Sequence, residues 1–120
     1  MGMLDTPAEA EGVGLETLFL QSFLAINDYK ALGYQIYFWR TTNGQEVDFI
    51  VYGPKGFFAF EIKRTHTVTA NAFKGLRSFH QDYPQAKLYL VYTGSLMEYH
   101  GEITVIPMKT VLEELPTILK

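Results

Sequence analysis

The 120-residue chain contains no cysteine. That excludes disulfides, zinc–thiolate sites, iron–sulfur clusters and a cysteine nucleophile. No apolar run approaches the ~18 residues that a membrane helix needs, so no membrane partner is expected. The N-terminus, Met1-Gly2-Met3-Leu4-Asp5, lacks the basic flank and apolar stretch of a signal peptide, which points to the cytoplasm. Positive charge is also scarce: ten Lys and Arg face thirteen Asp and Glu, a formal net charge of −3. A general polyanion binder carries a strongly basic surface, and this composition does not supply one. A local site in which a bound metal ion provides the positive charge remains open. Internal repeats and low-complexity linkers are missing too.

Core material, by contrast, is plentiful. Hydrophobic residues make up 48% of the chain, and nine Phe, eight Tyr and one Trp supply a sheet-containing core. A length in the usual ~100–150-residue range makes one domain. Residues 1–12, with Gly2, Pro7 and Gly12, read as a fraying lead-in, or as a start joined to a piece of a longer chain. The domain proper is expected over residues 13–120.

Its first element is a helix from Val13 to Ala31. Leu15, Leu18, Phe19, Phe23 and Ile26 recur at three- and four-residue steps, Leu20 and Leu24 widen the stripe, and Gly33 is a natural stop. Tyr34 to Arg40 (YQIYFWR) reads as a strand, and Asn43-Gly44 as a hairpin turn. Glu46 to Tyr52 (EVDFIVY) is the second strand. Gly53-Pro54-Lys55-Gly56 turns the chain again, into a third strand from Phe57 to Lys63 (FFAFEIK). A second helix spans Thr69 to Tyr83 and ends at Pro84. Lys87 to Tyr92 (KLYLVY) is nearly all apolar, as a strand buried on both faces should be. Ile103 to Ile106 is a fifth strand, and a short helix from Lys109 to Leu115 closes before Pro116. Two hairpins followed by a right-handed crossover give an α/β fold: a mixed central sheet flanked by helices.

Strand alternation places Glu46, Asp48 and Ile50 on one face of the second strand, and Ala59, Glu61 and Lys63 together on the third. With the turn centred near Pro54–Lys55, Asp48 and Glu61 lie opposite each other, and such partners sit ~4.5–5.5 Å apart. Like charges there destabilise a bare sheet, so a reason for them is needed. A hard divalent cation is one, because two carboxylates, water and a phosphate oxygen suit Mg²⁺ or Mn²⁺. Lys63, on the same side, would orient or activate a water or steady a phosphate. The plainer alternatives are a solvated Glu61–Lys63 pair and an Asp48 bonded to a nearby backbone amide. Glu16, above Phe19, Leu20 and Phe23 on the apolar side of the first helix, is either part of this site or a first-turn acid complementing the helix dipole. His66, His80 and His100 show no ligand spacing and read as surface residues. Lys74, Arg77 and Gln81 share a helix face that either touches phosphates or is simply solvated.

Glu16 on a leading helix, then Glu46-Val47-Asp48, then Glu61-Ile62-Lys63, resembles the PD-(D/E)XK, or restriction-endonuclease-like, superfamily, whose αβββαβ core matches the derived order. The resemblance is closer to one branch: the C-terminal domain, of unknown function, of bacterial and archaeal AAA-type ATPases. In that branch a Gly-x-Glu-Val-Asp-Phe segment follows an aromatic strand and precedes a Glu-x-Lys strand. Here these are Gly44 to Phe49, Tyr37 to Arg40 and Phe60 to Lys63. The resemblance implies a metal-dependent nuclease with Asp48 and Glu61 as ligands of Mg²⁺ or Mn²⁺. It implies Lys63 beside the attacking water and Glu16 as auxiliary ligand or supporting acid. Nucleic acid, or an AAA-type ATPase domain in cis or in trans, is the implied partner. Val47 stands where the superfamily has proline, the Gln-x-x-x-Tyr motif of the exonuclease branches is absent, and no Gly-rich Walker loop occurs.

Overall fold

The computed structural model describes the backbone of residues 7–120 and the side chains of residues 14–120. Helix α1 (Pro7–Tyr29) leads into strands β1 (Gln35–Arg40), β2 (Glu46–Gly53) and β3 (Gly56–Ile62). A 3₁₀ turn (Ala70–Phe73) and helix α2 (Lys74–Asp82) follow. The chain closes with β4 (Lys87–Tyr92), β5 (Glu98–His100), β6 (Ile103–Pro107) and helix α3 (Met108–Leu119). The six strands form one mixed sheet in the order β1-β2-β3-β4-β6-β5. The hairpin pairs β1–β2, β2–β3 and β5–β6 are antiparallel; β3–β4 and β4–β6 are parallel. This is the mixed α/β architecture that the element pattern predicts.

Four details depart from that expectation. The first helix begins at Pro7 rather than Val13, so part of the lead-in is helical; residues 1–6 lie outside the described residues. Leu18 and Leu24, expected in its buried stripe, are 44% and 46% exposed. The sheet has six strands instead of five, because Glu98–His100 pairs with β6 at the far edge. Three residues between two turns carry no alternation to read. Finally, Pro116 does not stop α3, which runs on to Leu119. Leu115 and Leu119 are both fully buried, and the Tyr34 hydroxyl donates to the Leu119 carbonyl at 2.7 Å. That anchoring outweighs the one helical hydrogen bond that a proline removes.

The sheet separates two apolar layers. Phe19 and Phe23 of α1 and Val111 and Leu115 of α3 pack with Phe49, Val51, Phe58 and Phe60 on one face. On the other, Leu76 and Phe79 of α2 pack with Val47, Ile50, Ala59 and Leu90. The faces of β2 reveal an irregularity. Val47 and Ile50 face α2 while Phe49 and Val51 face α1, which strict alternation forbids. Pairing with β1 passes from Tyr37↔Ile50 to Trp39↔Val47, so Asp48 and Phe49 together oppose Phe38. This is a β-bulge, a device that re-aims a side chain and loosens local pairing. It corrects the expectation that Glu46, Asp48 and Ile50 share one face in plain alternation.

Helix α2 lies very close to the start of β2. A Cβ built on Gly75 would overlap the Glu46 carbonyl oxygen, so only glycine permits this approach. Gly14, in α1, has nothing within 4 Å of such a Cβ. Two Gly→Ala substitutions in helices should therefore act with opposite sign. Gly14→Ala should stabilise the fold by about 0.5–1 kcal/mol through helix propensity. Gly75→Ala should destabilise it by about 1–3 kcal/mol by forcing α2 off the sheet. Urea unfolding of both variants checks this, and equal effects would refute the close-approach argument.

Candidate functional site

The β2–β3 ladder runs from Gly53↔Gly56 to Phe49↔Phe60. The next positions in that register are Asp48 and Glu61, where the bulge loosens the pairing and the side chains take over. The Asp48 backbone N–H donates to Glu61 Oε1 at 3.0 Å, and the Ile62 N–H donates to Asp48 Oδ2 at 2.8 Å. Each carboxyl group thus satisfies a backbone donor on the other strand. On its other side β3 is held in parallel register, with Glu61↔Leu90 and Ile62↔Val91 paired and the Lys63 N–H donating to Val91 O at 2.8 Å. The structure therefore brings Asp48 and Glu61 together on a rigid pair of central strands.

Glu61 is the one buried charged residue among the described residues, 6% exposed. Burial, then the negative charge of Asp48 and the hydrogen bond between the two side chains, push its carboxyl up to about 8 from an ordinary 4.5. The Lys63 ammonium, 3.4 Å from Glu61 Oε2, opposes that rise only in part. At neutral pH the Glu61 carboxyl accordingly keeps its proton. Lys63 itself is partly exposed and open to solvent on the far side of Glu61.

Glu16 is exposed at the rim of the α1 face that buries Phe19 and Phe23, rather than tucked among them. Partial burial raises its pKa, and the charges of Asp48 and Glu46 raise it further while Lys63 lowers it. It thus stands in the electrostatic field of Asp48, Glu46 and Lys63 without a hydrogen bond to them. Among the described residues no three His, Cys, Asp or Glu side chains gather closely enough to hold a metal ion by themselves. Two carboxylates converge, and the third stands off. Glu46 is turned to Arg40, 3.4 Å away.

The histidines lie elsewhere: His80 contacts Glu102 and the Pro84 carbonyl, His100 contacts Glu98, and His66 contacts the Thr93 carbonyl. The basic face of α2 divides. Arg77 lies over the Phe73 ring at 5.1 Å, whereas Lys74 lines a 340 Å³ polar cavity with Glu61, Lys63 and Asn71. Helical spacing groups Lys74 with Arg77 and Gln81, and no motif marks Asn71. The available signal was Gly75, the small residue that lets the helix start press against β2.

Stability should report the state of Glu61. The folded protein keeps a proton there that the unfolded chain releases above pH 4.5, so unfolding loses a proton between about pH 4.5 and 8. Stability should be highest below that window, fall as pH rises through it and level off above about 8. The loss is on the order of a few kcal/mol at ~1.4 kcal/mol per unit of displacement. Glu61→Gln mimics the protonated acid, accepting from the Asp48 amide and donating to its carboxylate. It should flatten the profile and exceed the parent in stability at pH 8.5. Thermal melts from pH 5 to 9 decide; an unchanged slope in Glu61→Gln would assign the proton to another group.

No curated protein and no solved structure matches the chain at a significant level. The model of a domain of unknown function, DUF4143, matches residues 11–111, a span that takes in Glu16, Asp48, Glu61, Lys63 and all three structural layers. With most of its length covered by that match, the chain belongs to the DUF4143 family.

Proposed function

We propose that this domain is a metal-dependent phosphodiesterase acting on nucleic acid. One observation carries the reading: Asp48 and Glu61 are fastened to each other's strands with their carboxyl groups converging, and Lys63 reaches Glu61 at 3.4 Å. The pair keeps a proton on the buried Glu61 carboxyl that a bound cation would replace. Its all-oxygen donor set fits Mg²⁺ or Mn²⁺. Bound there, such an ion supplies charge neutralisation at phosphoryl oxygens and acidifies water. Asp48 and Glu61 would hold the ion, and Glu16 would approach from α1 as an auxiliary acid. Glu61 has to release its proton first. Lys63, already directed at this carboxyl, would orient the attacking water and steady the negative charge that develops on the phosphate. The resemblance to PD-(D/E)XK nucleases supports these roles residue by residue.

A second reading has its own support. The branch resembled most closely is the C-terminal domain of AAA-type ATPases, and Leu18, Leu24 and Phe38 are strongly exposed on α1 and on edge strand β1. On that reading the nuclease-like fold serves as an interaction domain. Cleavage of labelled DNA and RNA with Mg²⁺ or Mn²⁺ separates the two. Hydrolysis that Lys63→Ala abolishes, with metal binding retained, favours the first. No cleavage and no bound metal would sink it.

Metal binding should also appear in stability. An ion that binds only the folded state at ten times its Kd contributes about 1.4 kcal/mol. For a domain of this size that raises Tm by roughly 4–8 °C. Asp48→Asn should abolish the shift while keeping the hydrogen bond from Ile62, since the amide oxygen can still accept it. Because Glu61 must deprotonate, the affinity for Mn²⁺ should rise up to about tenfold per pH unit below pH 8. Calorimetric titration at pH 6.5 and 7.5 measures this; pH-independent binding, or a full shift in Asp48→Asn, would place the ion elsewhere.

A further inference from the structure

The 340 Å³ cavity next to Glu61 contains a cation that the acidic pair does not use. Its wall includes Lys63 and Glu61 on the sheet side, Gln45 and Glu46 at the start of β2, and Asn71 and Lys74 before and at the start of α2. Among the described residues, neither the Lys74 ammonium nor the Asn71 side-chain amide has a hydrogen-bond or ion-pair partner within the protein. The other charges at the cavity are committed: Lys63 to Glu61 and Glu46 to Arg40. Gly75 closes the geometry. Its missing Cβ lets α2 press its backbone against the Glu46 carbonyl, which carries Lys74 and Asn71 to the edge of the carboxyl site. An unpaired ammonium and two side-chain amides facing one polar cavity form a donor set for an oxyanion.

We propose that this cavity binds a backbone phosphate of a nucleic-acid strand, the one adjacent to the phosphate at Asp48 and Glu61, through Lys74 and Asn71. The proposal rests on the phosphodiesterase reading for its ligand class but concerns binding alone. Holding the neighbouring phosphate fixes the register of the strand, so Lys74 and Asn71 are binding residues and perform no chemistry. Lysine acts as a point charge for phosphate, and the Asn71 amide adds a directed donor. The aromatic cleft beyond β1 has no comparable donor set: Gln85 alone contributes a polar side-chain amide among its mostly aromatic walls.

The test uses a thymidine tetranucleotide and inorganic phosphate as probes, without divalent metal, followed by amide NMR on the full chain. The tetranucleotide should shift the Gly75 backbone amide and the Asn71 side-chain amide, and inorganic phosphate should compete at the same signals. Lys74→Gln should weaken tetranucleotide binding at least fivefold and reduce the slope of log affinity against log salt by ~0.7. Asn71→Ala should weaken it less. Lys55→Gln, in the turn at the opposite end of the β2–β3 hairpin, should bind as the parent does. Unchanged melting of Lys74→Gln excludes a folding defect. Parent-like binding by Lys74→Gln overturns the proposal, as do shifts confined to other residues. So does phosphate binding that the tetranucleotide does not share, which would mark a free-anion site. Nuclease activity with parent KM in Lys74→Gln overturns it while leaving the phosphodiesterase reading intact. Lys74-dependent binding without any cleavage supports it and removes that reading instead.

Discussion

The reciprocal bond between Asp48 and Glu61 fixes the arrangement of everything around the site. Where the β2–β3 ladder would add another backbone pair, the bulge at Asp48 and Phe49 prevents it, and two carboxyl groups take over the freed amides at 3.0 and 2.8 Å. A strand end left with open amides in a central position would cost a full hydrogen-bond penalty. Carboxyl groups meet that need well as acceptors, but Glu61, buried beside the Asp48 side chain, does not ionise freely. A proton on Glu61 resolves the conflict in the protein alone, and a bound cation would resolve it in another way. The same contact therefore closes the sheet and leaves a site for positive charge.

That contact needs a stiff surround. Flanking Glu61 in β3 are Phe60 and Ile62, both packed into the α1–α3 layer, while parallel pairing to β4 holds the other edge of the strand. Phe19 stacks on Phe49 at 5.4 Å and lies against Phe60 at 4.8 Å. The aromatic helix face that carries Glu16 is thus seated directly on the residues next to Asp48 and Glu61. Across the sheet, Leu76 and Phe79 of α2 pack on Val47 and Ile50, which bracket the bulge from the opposite layer. Displacing either helix would disturb the two carboxyl groups, because their strands supply its packing surface.

Much of this was legible in the chain. The Gly53-Pro54-Lys55-Gly56 turn and the alternation of FFAFEIK set the hairpin register, and Gly53↔Gly56 to Phe49↔Phe60 follows it. Composition and element order gave the mixed α/β sheet. The misses have physical causes. Register arithmetic treats a strand as regular, so the bulge that turns Asp48 toward Ile62 was invisible until the faces of Val47 and Phe49 could be compared. Pro116 reads as a stop because local propensity carries no information about the burial of Leu119 or its bond from Tyr34, eighty-five positions away in sequence. Strand β5 is three residues long and depends on its neighbour β6. Lys74 illustrates the same limit: helical spacing groups it with Arg77, but the approach of α2 to Glu46 sends the two side chains to different surroundings.

Charge surrounds the pair from three elements. Lys63 stands on the solvent side of Glu61, Glu16 lies at the rim from α1, and Lys74 faces the cavity from α2. Around Glu61, Phe60 and Ile62 are buried in the α1–α3 layer and Leu90 in the α2 layer. Protein charge thus reaches the pair from both layers, Glu16 from the α1 side and Lys74 from the α2 side. A chain with a net charge of −3 does not attract polyanions by its overall field. Whatever anion it binds must be held by local cations, and near the acidic pair those are Lys63 and Lys74. On the proposed reading the first serves the reacting phosphate and the second its neighbour. The separation follows from the fold, since one lysine directly follows β3 and the other begins α2, and the contact at Gly75 holds the start of α2 against β2.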